Sequence, residues 1–248
     1  MKTVFRPILV PLALLLALMT ALFTGCRTRS ISDSGYGGRY GGKHNPFYRG
    51  ELSEFDLLGI ERGAPITDDQ IAKALEAAGP IRVRQGSTLL LIQSGAYQPD
   101  EPMRAALNKL FHVIPFTGQP PSSAPATNAA SYARAMRLAA AQAGCETIVC
   151  YWGSLESART ELGTKTVSWV PVVGMIVPDE SQRMRIRLKV ALVDVRSGRW
   201  TLFASPVFES KSLSEKLSRE SSDQGQVEKL KRLAYDSVAS GLAEVYGH

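Results

Sequence analysis

Histidine is scarce in this 248-residue chain, which has three: His44, His112 and His248. They stand far apart, and none has cysteines or carboxylates around it at metal-ligand spacing. No histidine-centred metal cluster or catalytic triad suggests itself on sequence grounds. Cysteine is equally sparse, with three in the chain. Cys145 and Cys150 lie five positions apart, and Cys150 falls in a predicted strand. An extended chain rises about 3.3 Å per residue, so the pair lies beyond disulfide reach unless the chain turns back. Two buried, unpaired thiols are the expectation, and no second Cys pair or His is near enough to suggest a metal. A nucleophile elbow is missing too: Ser154 sits in Gly153-Ser154-Leu155-Glu156-Ser157, which lacks the required pattern. So is a phosphate-binding loop, because Gly37, Gly42 and Lys43 are followed by His44 where Ser or Thr is needed.

A charge excess is absent from most of the chain. The total of 29 basic and 23 acidic residues gives +6. Lys2 and Arg6 belong to the first 25 residues. Arg27, Arg29, Arg39, Lys43 and Arg49 face only Asp33 in residues 27–49, and from Gly50 onward 22 basic residues balance 22 acidic ones. A nucleic-acid-binding domain needs a basic surface on its folded body. Here the excess sits in the lead, so no nucleic-acid partner is expected.

What is present begins with an uncharged run from Ile8 to Phe23, preceded by Lys2 and Arg6 and followed by Thr24-Gly25-Cys26. A charged start, an apolar centre and small residues before a cut describe an export leader. The run is short of the roughly 20 residues of a spanning helix, and Pro7 and Pro11 weaken its first turns. Leu22-Phe23-Thr24-Gly25-Cys26 resembles the lipobox of bacterial lipoproteins, with Phe23 where Leu is usual. The resemblance implies cleavage before Cys26 and a covalent diacylglycerol and N-acyl lipid on it, with no other cofactor. Each buried methylene contributes about 0.8 kcal/mol, so several acyl chains hold a domain on a bilayer. An ordinary cleaved signal or an uncleaved anchor is the alternative.

The domain organisation expected is therefore residues 1–25 as signal peptide, 26–50 as a flexible basic Gly-rich tether, and 51–248 as a single domain. Gly35 to Gly42 cannot bury enough apolar surface to fold. The basic tether would add attraction to an anionic bilayer of about 1 kcal/mol per Lys or Arg.

Along the domain, 51–66 reads as an extended lead-in. Thr67 with Gln70 has capping-box spacing for a short helix, whose stripe Ile71, Ala74, Leu75 and Ala78 reads as core. The apolar run Thr88 to Ile92 between Gly86 and Gly95 predicts a strand covered on both faces. A helix from about Asp100 to Leu110, a strand 111–116 and a Pro-rich loop 118–125 follow. Asn128 is positioned to cap the alanine-rich helix 129–143, and a strand 147–152 comes next, so strand, crossover helix and strand imply a parallel pair. Segments 166–177, 183–195 and 200–208 read as three strands of an antiparallel meander, with Ser197-Gly198 in the last turn. Val227, Leu230, Ala234, Val238, Leu242 and Val245 trace one face of a closing amphipathic helix. The fold class is α/β: a mixed sheet of about five to six strands flanked by helices.

Asp100-Glu101 and Asp179-Glu180 are explained by helix capping and turn formation. Two stretches remain as candidate contact surfaces. Trp169, Val172, Val173, Met175 and Ile176 lie in an uncharged segment split by Gly174, which suits a buried bend or an apolar contact loop. Arg183, Arg185, Arg187 and Lys189 alternate with apolar residues, and period two puts all four on one strand face. The strands predicted beside them carry no carboxylate. The stripe reads as a solvated sheet face or as a surface for an anionic partner.

Val190 to Trp200, a strand ending Leu192-Val193-Asp194-Val195 and turning through Ser197-Gly198, resembles exported lipoproteins of the curli-secretion, penicillin-binding-protein-activator and TolB-amino-terminal type. The resemblance implies an α/β domain in the bacterial cell envelope and transfers no catalytic residue. The expected function is a non-enzymatic, membrane-anchored lipoprotein that binds or regulates another envelope component, on the outer rather than the inner membrane of a two-membrane cell. An anchored hydrolase acting on cell-wall material, or a structural subunit of an envelope or secretion complex, are the alternatives. The partners expected are the bilayer, through Cys26 and the tether, and an envelope protein.

Overall fold

The computed structural model describes residues 29–34, 45, 47–63, 65–120, 129–159, 168–171, 182–212 and 219–247. The leader, Cys26, Asn128, and Val172, Val173, Met175 and Ile176 of the apolar segment lie outside the described residues. So do most of the Gly-rich stretch, the Pro-rich loop beyond Pro120, and Asp179-Glu180.

The organising strand is β2 (Thr88–Gln93), whose apolar run is buried on both faces as its composition requires. Gly86 and Gly95 bracket it with φ of 77° and 78°, left-handed values that a side chain disfavours. Helix α3 (Glu101–Asn108) leads to β3 (His112–Phe116), and α4 (Ala129–Gln142) leads to β4 (Thr147–Arg159). Both β3 and β4 pair parallel to β2, on opposite edges. The implied parallel arrangement is present, with β2 inserted between the strands that α4 connects.

The second half is built differently from the expected meander. β4 runs 13 residues and pairs along its whole length with the equally long, antiparallel β6 (Gln182–Asp194). β5 (Ser168–Pro171) turns back on the other edge of β4, where Glu156 pairs with Pro171, and does not pair with β6. β7 (Trp200–Ala204) and β8 (Phe208–Ser212) follow one another along the outer edge of β6. The order is β3-β2-β4-β6-β7, and β1 (Arg29–Ser30), β5 and β8 extend it to eight strands. The sheet exceeds the expected five or six strands because these short pieces continue edges.

Two apolar layers sandwich the sheet. On one face Leu89, Leu91, Tyr151, Ile186 and Leu188 meet α3 and the closing helix α5 (Arg219–Tyr246). The predicted stripe of α5 is buried at Leu230, Ala234, Val238 and Leu242, while Val245 is exposed. On the other face Leu90, Ile92, Cys150, Ala191 and Val193 meet α4 and a helix the sequence did not suggest, α1 (Glu54–Leu58). Residues 51–66 are thus not uniformly extended. Gly59 ends α1 at φ 71°, and an added Cβ would come 3.1 Å from Ala133 Cβ. The alanine-rich α4 therefore allows this close approach. Cys145 and Cys150 are buried and unpaired, and burial pushes both thiols up from their ordinary pKa.

Helix α2 (Asp68–Glu76) has the capping box in full: Thr67 Oγ1 accepts from the Gln70 N–H, and Gln70 Oε1 from the Thr67 N–H. Its stripe is not core, however. Every residue of α2 is exposed, Ile71 at 50% and Leu75 at 71%. Periodicity established an amphipathic helix but could not say whether a surface was left for it to cover. Ile71→Lys and Leu75→Lys are accordingly expected to change unfolding stability by no more than about 0.5 kcal/mol each. A denaturant titration showing a loss of about 2 kcal/mol would restore the core assignment.

Residues 29–34, expected inside the flexible tether, are part of the domain. Arg29–Ser30 forms β1, paired antiparallel with Leu155 and Ser154 of β4. A 3-10 turn at Ile31–Asp33 follows, with the Ser32 N–H bonded to Ser30 Oγ. Ile31 is buried in the layer beneath α5.

Candidate functional site

The residues following the proposed anchor dock into a seat that the sheet provides. Gly153 interrupts β4, and a Cβ built there would lie 2.6 Å from Ile31 Cδ1 and 2.7 Å from Leu188 Cδ2. Only glycine leaves room for Ile31, a familiar use of glycine inside a strand. Ser32 then donates to the Ser94 carbonyl at 2.5 Å, and Asn45 bonds Asp33 Oδ1 and the Ser32 carbonyl. Glu51 lies close by among Ser30, Ser94 and Tyr48; burial, outweighing these hydroxyls, raises its carboxyl above the ordinary range.

From Ser32 a chain of polar groups runs through the interior past the carboxyl end of β2. Gln93 Nε2 donates to Ser32 Oγ at 3.0 Å, and Gln93 Oε1 accepts from Tyr151 Oη at 2.6 Å and from the Asp100 N–H at 2.7 Å. Asp100 Oδ2 accepts from Tyr235 Oη at 2.6 Å and from Lys231 Nζ at 2.8 Å. Gln93, Tyr151, Tyr235 and Lys231 are all nearly inaccessible, and the two tyrosine rings meet edge to face at 5.8 Å. Because each buried group has a partner, the chain costs little and fixes the register of β1, β2 and α5. The capping role expected of Asp100 is not present: its side chain makes no cap hydrogen bond to α3. Lys231, which the sequence reading passed over, falls four residues after Val227 and four before Tyr235. Its place on the inner stripe of α5 was the available signal.

The cationic stripe of β6 sits on the opposite face from α5. Its apolar alternates Met184, Ile186 and Leu188 are buried, and the register puts Trp152, Ser154 and Glu156 of β4 beside Lys189, Arg187 and Arg185. The expected lack of carboxylates is therefore corrected. Glu156 forms an ion pair with Arg185 and lies 3.7 Å from Arg187, and Glu54 of α1 pairs with Lys189. Glu209 of β8 stands opposite Arg185. A strand bounded at Trp152 stops short of Glu156, so the expected bounds of β4 leave this partner out. Arg187 and Lys189 remain accessible, with 49% and 46% of their side-chain surface exposed. Arg183 lies at the start of β6 opposite Ala158, and Trp169 lies in β5 opposite the same residue.

The turn that carries the family-like motif proves structural. Asp194 accepts from the Ser197 N–H at 2.6 Å and from its hydroxyl. Burial would raise the Asp194 carboxyl, but Ser197 and the guanidiniums of Arg199 and Arg137 hold it below its ordinary value. Gly198, at φ 75°, leaves space for Arg137, which also bonds the Val195 and Arg196 carbonyls. Among the described residues, no group of three or more His, Cys, Asp or Glu is placed to hold a metal ion, and no helix is long and apolar enough to cross a membrane.

The fold is that of an α/β domain, a mixed sheet with helices on both faces. The chain belongs to the YafT bacterial lipoprotein family, whose model matches residues 53–245. A comparison with curated proteins found no match. Among solved structures, a PelC dodecamer from Paraburkholderia phytofirmans is similar at 14% identity and TM-score 0.26, covering 64% of this chain and 95% of that one. A neuraminyllactose-binding hemagglutinin homolog from Helicobacter pylori is similar at 11% identity and TM-score 0.30, covering 68% and 92%. Likenesses this distant carry no functional argument.

Proposed function

We propose that this protein is a non-enzymatic lipoprotein, acylated at Cys26, that binds or regulates another component of the cell envelope at the surface of the outer membrane. The observation that carries the reading is the seating of residues 29–34. A domain whose chain is built into the sheet three residues after the acylated cysteine is held close to its membrane. Such mounting suits a protein that presents a fixed surface to a neighbour. It suits less well one that must range across the cell wall for substrate. Membership of a bacterial lipoprotein family supports the anchor. The polar groups that converge in the interior, from Ser32 to Lys231, are consumed by one another, which supports a structural role for them.

In-cell crosslinking of the native lipoprotein, followed by mass spectrometry of membrane fractions, tests the proposal. One dominant envelope protein should crosslink to the wild type and be lost with Cys26→Ser. Crosslinks spread evenly over abundant proteins, or unaffected by Cys26→Ser, would contradict it.

A further inference from the structure

The docked segment fixes more than distance. Arg29 is three positions after Cys26, and an extended chain spans at most about 3.3–3.6 Å per residue, so the acylated residue lies within about 10 Å of β1. Arg29 and Ser30 pair with Leu155 and Ser154 in the far half of β4, and β1 ends where β5 takes over that edge at Glu156. Ser154 in turn pairs with Arg187 on β6. Neighbouring strands are about 4.8 Å apart, so Arg187 lies roughly 10 Å from Ser30 across two strands, within the reach of a long side chain.

Among the described residues, helices cover this far half of the β4–β6 ribbon on one face only, apart from the contact of Glu54 with Lys189. Met184, Ile186 and Leu188 are buried in the layer beneath α5. On the other face, α1 and α4 cover Ala191 and Val193, Arg185 is largely buried against Glu156, and Arg187 and Lys189 keep about half of their side-chain surface accessible. Val207, in the link between β7 and β8, is exposed beside the same stretch. The opposite end of β6, with the Asp194 to Arg199 turn, is about 30 Å from the anchor at the strand rise.

We propose that the accessible face of this ribbon, carrying Arg187 and Lys189, is seated on the bilayer that holds Cys26, with anionic lipid phosphates as its ligands. The inference rests on the reading of Cys26 as the anchor. The pairs with Glu156 and Glu54 do not preclude it. The Arg185–Glu156 pair is largely buried and stays in place, whereas Arg187 and the Lys189–Glu54 pair are exposed. Exposed ion pairs are weak in water, and a phosphate-dense surface held at short range competes with them, less so at high salt. Arg is well suited to bidentate phosphate contacts. The Asp194 to Arg199 end, near which Gly79 abuts Arg199, then points away from the membrane.

The test uses the full acylated protein in vesicles containing phosphatidylglycerol and a nitroxide-headgroup lipid. A bimane is placed at Val207→Cys or, in a second sample, at Arg196→Cys. Strong quenching at position 207 and several-fold less at 196 is expected. The double variant Arg187→Glu, Lys189→Glu should at least halve the quenching at 207 with the protein still vesicle-bound. Equal quenching at both sites, or quenching at 207 that is indifferent to charge reversal and to replacing phosphatidylglycerol by phosphatidylcholine, overturns the seating. Vesicle binding that survives Cys26→Ser would instead sink the anchor itself, so the two failures are distinguishable.

Discussion

Replacing Asp100 by Ala is expected to lower the stability of the domain by about 3 kcal/mol, because it leaves the Lys231 ammonium buried without its anion. Lys231 is about as inaccessible as the core leucines, and its bonded oxygen, Asp100 Oδ2, is shared with Tyr235. The second half of the cycle separates this charge effect from lost packing. Lys231→Met removes the ammonium and leaves Asp100 bonded to Tyr235 and partly accessible, so its cost should be about 1 kcal/mol. The double variant is expected to be more stable than Asp100→Ala alone by about 1–2 kcal/mol. Denaturant titrations of the four proteins measure the coupling. Additive losses would mean that the pair is a surface contact.

Ile31→Ala is expected to cost about 3 kcal/mol, within the usual range for truncating a fully buried aliphatic side chain. Gly153→Val should cost about 2 kcal/mol by driving a side chain into Ile31 and Leu188. The two should not add. With Ala at 31, the valine at 153 has somewhere to go, and the double variant is expected to recover about 1 kcal/mol over the sum. Amide hydrogen exchange gives the local readout: protection at Ser32 and Leu52, whose N–H groups bond Ser30 Oγ and Ser94 Oγ, should fall in either single variant. If both variants left these amides and the global stability unchanged, residues 29–34 would not be part of the fold.

Much of this architecture was legible in local sequence. β2 declared itself by an apolar run between two glycines. α2 and α4 had clear boundaries in Thr67 with Gln70 and in Gly144, and α5 showed its buried stripe. What failed was non-local. The three-strand meander came from reading consecutive strands as neighbours, whereas β5 folds back on β4 and leaves β6 to pair with the full length of β4. The Gly153-Ser154 pair looked like the end of a strand and is its midpoint, where glycine makes room for Ile31. That error concealed Glu156, and with it the partner of Arg185.

The docked segment was the least legible part of the candidate site. Its composition is that of a tether: Arg29, Ser30, Ser32, Asp33 and Ser34 surround a single apolar residue. One isoleucine cannot create a core, but it can complete one that already exists, and nothing in its own neighbours reveals the seat at Gly153. The buried polar chain was hidden for a similar reason. Asp100 and Lys231 are 131 positions apart, so each looks like an ordinary surface charge until the closing helix brings them together.

The central claim is that the domain is held on its membrane through Cys26. Intact mass and membrane fractionation of the wild type and of Cys26→Ser test it most directly. The account predicts an acylated, membrane-bound wild type cut before Cys26, and an unacylated variant released into the soluble fraction. A wild type that retains residues 1–25 and carries no acyl mass, or a Cys26→Ser variant that stays membrane-bound, would contradict it.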